Sequence, residues 1–253
     1  NLAYAANEVR YFNFEAEREA KLGAEDATIV PFFDGETLSQ FEEKDIDLPS
    51  EVDMAKFDTL EVDITSMCPD PTKIEFGNCG AWDYIANLFV QDENGANVEI
   101  ARFITSYHRE TRWLVDISPM LVHLKKGGKR HFRWEFAPEW NVQPTATKLS
   151  LRLSNKSKGY APSEATFLYG GGAFNSMYNV THLPHVPTDV MIPADAKHVE
   201  LVAIITGHGA ETGQCAEFCN HQHLFKVNGV EHEKEHKEAG TSDKCVAHIE
   251  EGM

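Results

Sequence analysis

No stretch of this chain approaches the 18 or so consecutive apolar residues that a membrane-spanning helix needs, and no apolar segment near the start has the form of a secretory signal. Basic residues are scarce. Lys and Arg number 23 against 40 Asp and Glu, a formal net charge of −17. Such a chain has no positive field with which to displace counterions from nucleic acid, and anionic membrane surfaces repel it. The charge reads first as a device for solubility. Cysteines are few and odd in number: Cys68, Cys79, Cys215, Cys219 and Cys245. None is spaced as C-x-x-C, which argues against thioredoxin-like redox chemistry and zinc ribbons. Gly170-Gly171-Gly172 lacks the following Lys and Ser/Thr of a phosphate loop and reads as a tight or flexible loop. Met is missing at the start, which reads Asn-Leu-Ala-Tyr and suggests a processed or trimmed terminus.

What is present is strand. With 253 residues, 42% of them hydrophobic and 25% charged, the chain can bury one large core or two ordinary ones. Apolar and polar residues alternate over Phe57 to Thr65, Val98 to Thr105, Arg130 to Phe136 and Lys148 to Leu153, the signature of half-buried strands. Ile85 to Gln91 is more apolar and stops at Asp92-Glu93-Asn94-Gly95, a hairpin-type turn. Val199 to Thr206 is the strongest candidate for a buried strand, and His223 to Asn228 ends at a second turn signal, Asn228-Gly229. Helix is expected only over Asn13 to Gly23 and for one turn over Met120 to Lys125. Many short strands with frequent turns point to an all-β sandwich or jelly roll. A polar stretch, Asn155 to Glu164, reads as a linker. The expected organisation is a leader over residues 1–50, a first jelly-roll domain over 51–158 and a second over 159–253. The second has too few residues for eight strands, so it is expected to be truncated at its C-terminus or completed by another polypeptide.

Chemistry-bearing residues concentrate in a few places. Cys68 with Cys79, and Cys215 with Cys219, would each close a short loop, a pattern suited to an oxidising compartment. Cys245 is left over, either a free thiol or paired beyond Met253. Asp83 follows the first loop directly, beside Trp82, and suits a positioned base or a sugar platform; the competing reading is a turn-capping Asp. Glu135 lies in an aromatic alternating strand, with Glu139-Trp140 just after it. In Cys215-Ala216-Glu217-Phe218-Cys219 a bridge would fix the direction of Glu217, so that it could activate water or grip an amide. His221 and His223 share one face if the segment is a strand, and with His208 they could bind copper or zinc. His232-Glu233-Lys234-Glu235-His236 fits the letters H-E-x-x-H, but its charged flanks and the bracketing Gly229 and Gly240 make it a solvated loop or helix fragment rather than the buried helix of a zinc protease. Asn155-Lys156-Ser157 and Asn179-Val180-Thr181 match the N-glycosylation triplet.

Cys68 through Thr105, with its Cys-Pro loop closed by a second Cys, then Trp-Asp, then two strands, resembles the N-terminal domain of the bacterial peptide-N-glycosidase F family. Ile205-Thr206-Gly207-His208-Gly209 and the Cys215–Cys219 segment resemble that family's Ser/Thr-Gly-x-Gly segment and Cys-Ala-Glu-aromatic-Cys loop. The resemblance runs from about residue 55 to Cys245. It implies two antiparallel jelly-roll sandwiches side by side, an arrangement shared with copper-dependent peptide hydroxylases. It also implies hydrolysis of the bond joining an N-glycan to asparagine, without cofactor, in a secreted, periplasmic or cell-surface protein. The implied catalytic carboxylates are Asp83, Glu217 and Glu135, drawn from both domains to their interface. Trp82, Trp140, Glu139 and His208 are implied substrate-binding residues, and the Cys68–Cys79 and Cys215–Cys219 disulfides are implied too. The partner is an N-glycosylated peptide or protein. There are departures: Tyr84 stands where the family has Arg, and Ala137 where it has a Trp that Trp140 could replace. Two other expectations compete, a copper- or zinc-binding oxidoreductase of the same fold using His221, His223 and His208, and a non-catalytic secreted module that binds glycan or protein.

Overall fold

The computed structural model describes residues 15–70, 72–73, 83–105, 110–140, 144–168, 187–206 and 220–236. By contact the chain divides into two compact units. One holds residues 1–165 with 202–206, the other 166–201 with 207–253.

The first unit is a sandwich of two antiparallel four-stranded sheets. Its strands are β1 (Ala27–Leu38), β2 (Phe41–Ser50), β3 (Thr59–Met67), β4 (Ile85–Gln91), β5 (Asn97–Ile104), β6 (Thr111–Asp116), β7 (Gly127–Glu135) and β8 (Thr145–Ser154). One sheet has the order β1-β8-β3-β6 and the other β2-β7-β4-β5. Successive strands thus alternate between the sheets except at the β4–β5 hairpin, which gives the eight-stranded jelly roll. The alternation seen in sequence sets the register. Leu60, Val62 and Ile64 of β3 face Leu153, Leu151 and Leu149 of β8, and all six are essentially inaccessible. Opposite them, Leu88 and Val90 of β4 pair with Trp134 and Phe132 of β7. Phe32 and Phe132 meet edge to face between the sheets, centroids 4.7 Å apart. Each fully buried side chain of this kind contributes about 1.5–3 kcal/mol.

The outer face of the first sheet is covered by helix α1 (Glu15–Ala24), whose Leu22 is buried. This is why Glu61 and Arg152, on the outward positions of β3 and β8, are buried as well. Arg152 donates to the Leu22 carbonyl (3.1 Å), and Lys156 Nζ reaches Glu61 at 2.7 Å. A short helix α2 (Glu51–Met54), capped by Ser50, leads out of β2, and a single helical turn α3 (Leu121–Leu124) leads into β7.

Several expectations change. Residues 27–50 are not a leader: they form β1 and β2, the edge strands paired with β8 and β7, and they bury Val30, Phe32, Phe33, Leu38, Ile46 and Leu48 in the core. The stretch expected as a linker has no helix or strand, yet it is tied to the sandwich. Asp58 accepts the N–H groups of Lys156 (2.8 Å) and Lys158 (2.6 Å), and Asn155 Nδ2 donates to the Lys56 carbonyl (2.8 Å). Val199 to Thr206 is not a buried strand. It carries no regular structure, and Val199, Leu201, Val202 and Ile205 are exposed, since among the described residues no neighbouring strand pairs with it.

In the second unit the described regular structure is one hairpin, β9 (His221–Val227) and β10 (Val230–His236). Asn228 (φ 50°) and Gly229 (φ 83°) both take positive φ, as a two-residue type I′ loop requires. The charged run 230–236 is therefore a strand rather than a loop or helix fragment. The tight turn folds it back onto β9, and ladder bonds hold its backbone extended. No helix among the described residues is long and apolar enough to cross a membrane.

Candidate functional site

The sheet β2-β7-β4-β5 gathers the polar residues of interest at one end. Because β7 runs antiparallel to β4, the end of β7 lies beside the start of β4, and Glu135 pairs with Asn87. The same row continues outward on both sides. Glu135 also faces Phe41 on β2, and Asn87 faces Arg102 on β5. Asp83 precedes β4 by two residues. The ladder reaches as far as Tyr84, whose N–H donates to Thr105 Oγ1 (2.8 Å) and whose carbonyl accepts from Thr105 N–H (2.8 Å). At about 3.3 Å per residue, Asp83 stands about 13 Å along the strand from the Asn87–Glu135 row.

The exit from β7 is fixed by Gln40, just ahead of β2. The Gln40 carbonyl accepts from the N–H of Phe136 (2.9 Å), and its side-chain amide donates to the Glu139 carbonyl (2.8 Å). This places Trp140 beside Tyr84, ring centroids 5.6 Å apart and nearly perpendicular. Trp140 is 78% exposed, so one face of its indole stays open next to Asp83's neighbour. Tyr84 is thus a residue of the site that sequence reasoning noted only as a departure. Its partner is distant in the chain, so no local pattern could reveal the contact.

Glu135 does not stand alone. Arg133, two residues earlier on the same face, donates to it through Nε and to Glu43 on β2 through Nη1 (2.7 Å). The guanidinium lies 3.9 Å from the Phe41 ring centroid. Partial burial works against the charge on Arg133, but the bonds to Glu135 and Glu43 outweigh it and hold the group above its ordinary pKa. On the neighbouring edge, Glu99 accepts from Asn87 Nδ2 (2.6 Å) and from both Nε and Nη2 of Arg102 (2.6 Å each). The alternation of β7 could have shown that Arg133 and Glu135 share a face; the Glu99–Arg102 pair spans a bulge and shows no such signal.

Of the expected site residues, the structure thus draws Glu135, Glu139, Trp140 and Asp83 to one end of one sheet. Glu217, Trp82, His208, Cys79, Cys215 and Cys219 lie outside the described residues, as does Cys245. Cys68 is buried and disulfide-bonded, and its N–H donates to Glu110 (3.2 Å). Among the described side chains, which do not include those of His221 and His236, no three His, Cys, Asp or Glu gather as a metal site.

Residues 173–250 match the family described as peptide-N-glycosidase F, C terminal. This part of the chain is similar to the C-terminal part of peptide-N-glycosidase F. No curated protein matches. Among solved structures, recombinant peptide:N-glycanase F is 22% identical over 54% of this chain and 45% of its own, with a TM-score of 0.40. The glycosylasparaginase PNGase F from Flavobacterium meningosepticum is 20% identical over 54% and 45%, also at 0.40. PNGF-II is 13% identical over 60% and 38%, at 0.41. The chain therefore spans less than half the length of these structures. The observed architecture agrees with the all-β, antiparallel jelly-roll design expected for the peptide-N-glycosidase F relationship.

Proposed function

We propose that the protein is a peptide-N-glycosidase-like amidase, which hydrolyses the bond between an N-glycan and asparagine. The observation that carries this reading is the family match over residues 173–250, a span that includes Glu217. The sheet end that bears Asp83, Glu135 and Trp140 supports it from the other part of the chain. In the proposed reaction Asp83 activates water. The water oxygen enters the new aspartate carboxyl, the amide C–N bond breaks, and the nitrogen leaves on the sugar with the transferred proton. Glu135, held in place by Arg133, accepts a hydroxyl or amide N–H of the substrate. The open indole of Trp140, braced by Tyr84, provides an apolar face for a sugar ring, with Glu139 at its margin. Glu217, Trp82, His208 and the disulfide pairs Cys68–Cys79 and Cys215–Cys219 enter this proposal through the family relationship alone. A substrate that carries N-glycans, and the disulfide at Cys68, suit a secreted, periplasmic or cell-surface protein.

The test is incubation of the purified protein with a denatured N-glycoprotein, followed by detection of released glycan and of asparagine converted to aspartate. Asp83→Asn should lower turnover by at least a hundredfold at unchanged thermal stability, and Trp140→Ala should mainly raise KM. If Asp83→Asn is as active as the parent, or if the full-length protein binds glycopeptide without any turnover, the amidase reading fails and the glycan-binding module takes its place.

A further inference from the structure

On the outward face of the second sheet, Phe41, Glu43 and Asp45 of β2 stand directly opposite Glu135, Arg133 and His131 of β7. We propose that Glu43 is a positioning residue for Glu135, acting through Arg133; the inference rests on the amidase reading. The register that makes these pairs is pinned by Ile46 and Leu48, which are buried on the other face of β2. A one-residue slip would turn Glu43 into the core and Leu48 out of it.

Arg133 is held on three sides. Its Nε donates to Glu135, its Nη1 donates to Glu43 (2.7 Å), and the Phe41 ring lies against its face, 3.9 Å from the guanidinium. A planar fork fixed at two nitrogens cannot turn without breaking one of the bonds. Without Glu43 a single hydrogen bond and the ring remain, and arginine has more rotamer freedom to recover than most side chains. It also has a second place to go. Glu135 lies two residues from Arg133 in one direction and His131 two residues in the other, about 6.6 Å each way, with Asp45 opposite His131. His131 keeps Asp45 engaged: its Nδ1 lies 2.9 Å from Asp45, and its Nε2 lies 3.8 Å from Glu43. Asp45, His131, Glu43, Arg133 and Glu135 thus form one continuous chain across two strands. Glu43 and Glu135 are both partly exposed, so this chain adds little to stability. What it fixes is the direction of Glu135.

The test is a double-mutant cycle on full-length protein with an N-glycopeptide substrate. Glu43→Ala should lower kcat/KM about tenfold or more, and Glu43→Gln, whose amide oxygen still accepts from Nη1, should restore most of the loss. In an Arg133→Met background Glu43→Ala should cost less than about twofold, because its route to Glu135 is already gone. Asp47→Ala removes a carboxylate from the same face, opposite Lys129, and should leave activity unchanged. A second readout needs no turnover. The Arg133 Nε–H proton, assigned by its loss in Arg133→Met, should give a slowly exchanging nuclear magnetic resonance signal in the parent and lose it to solvent exchange in Glu43→Ala. An unchanged Arg133 signal in Glu43→Ala, additive losses in the cycle, or an equal loss in Asp47→Ala overturns the proposal. If the parent binds glycopeptide but releases no glycan, the amidase reading fails by itself; the same cycle is then read on glycopeptide affinity, and it decides with the Arg133 signal whether Glu43 acts through Arg133.

Discussion

Replacing Asp58 with Ala isolates what holds residues 155–158 to the sandwich. Asp58 is only 7% exposed, and its carboxylate accepts three bonds: from Thr59 Oγ1 (2.9 Å), Lys156 N–H (2.8 Å) and Lys158 N–H (2.6 Å). Burial pushes its pKa up, but the three hydrogen bonds and the nearby Lys158 charge outweigh burial and hold it below the ordinary carboxylate value. Hydrogen bonds to a charged group contribute about 1.5–3 kcal/mol each in net terms, but water can reach the two freed N–H groups near the surface, so the loss should be about 2–3 kcal/mol. For a unit of this size that is about 4–12 °C in Tm. Asp58→Asn should be nearly as damaging, since its amide N–H₂ would face a backbone donor. The effect should also depend on pH in a fixed direction. Because folding lowers this pKa, the stability it adds is complete above the unfolded value of about 3.9 and is lost as pH falls through the folded value. Urea melts at pH 7 and pH 3 measure both parts: the gap between parent and Asp58→Ala should narrow at pH 3. A loss under about 0.5 kcal/mol at pH 7, or a gap that widens in acid, would refute the reasoning.

Two more substitutions probe the sandwich and the site. Gly127 opens β7 at φ +57°, and a Cβ there would lie 2.0 Å from the Pro49 carbonyl oxygen; Gly127→Ala should therefore cost at least about 3 kcal/mol, read as a fall in the denaturation midpoint. Arg133→Met removes the shared partner of Glu43 and Glu135, which are both partly exposed, so it should cost only about 1 kcal/mol of stability while lowering glycan release much more, a contrast that parallel melts and activity assays would reveal.

How much was legible depended on how cleanly each strand alternates. β4 could be read over its whole length, because buried Ala86, Leu88 and Val90 alternate with half-buried residues up to a turn in which Asp92 accepts two N–H groups. β1 escaped detection because Pro31 and two register shifts break its pattern. β2 escaped because Glu42, Glu43, Lys44, Asp45 and Asp47 make it look like loop, although Ile46 and Leu48 are buried. Val199 to Thr206 misled in the other direction: apolar composition alone does not make a strand, and among the described residues none pairs with it. Glu135 was legible from its place on an alternating strand. The meeting of Tyr84 with Trp140 was not, because it depends on the Gln40 contacts that position the exit of β7.

The pairing of the jelly roll is nested. β4 and β5 close as a local hairpin, β2 with β7 encloses them, and β1 with β8 encloses both. A chain made from its N-terminus therefore presents β1 and β2 long before their partners exist, and contacts of such sequence separation form late because loop closure must come first. An unpaired strand waiting in that state invites association with other chains, which charged side chains oppose. The acidic and basic residues that disguised β2 as a loop thus keep it soluble until β7 arrives.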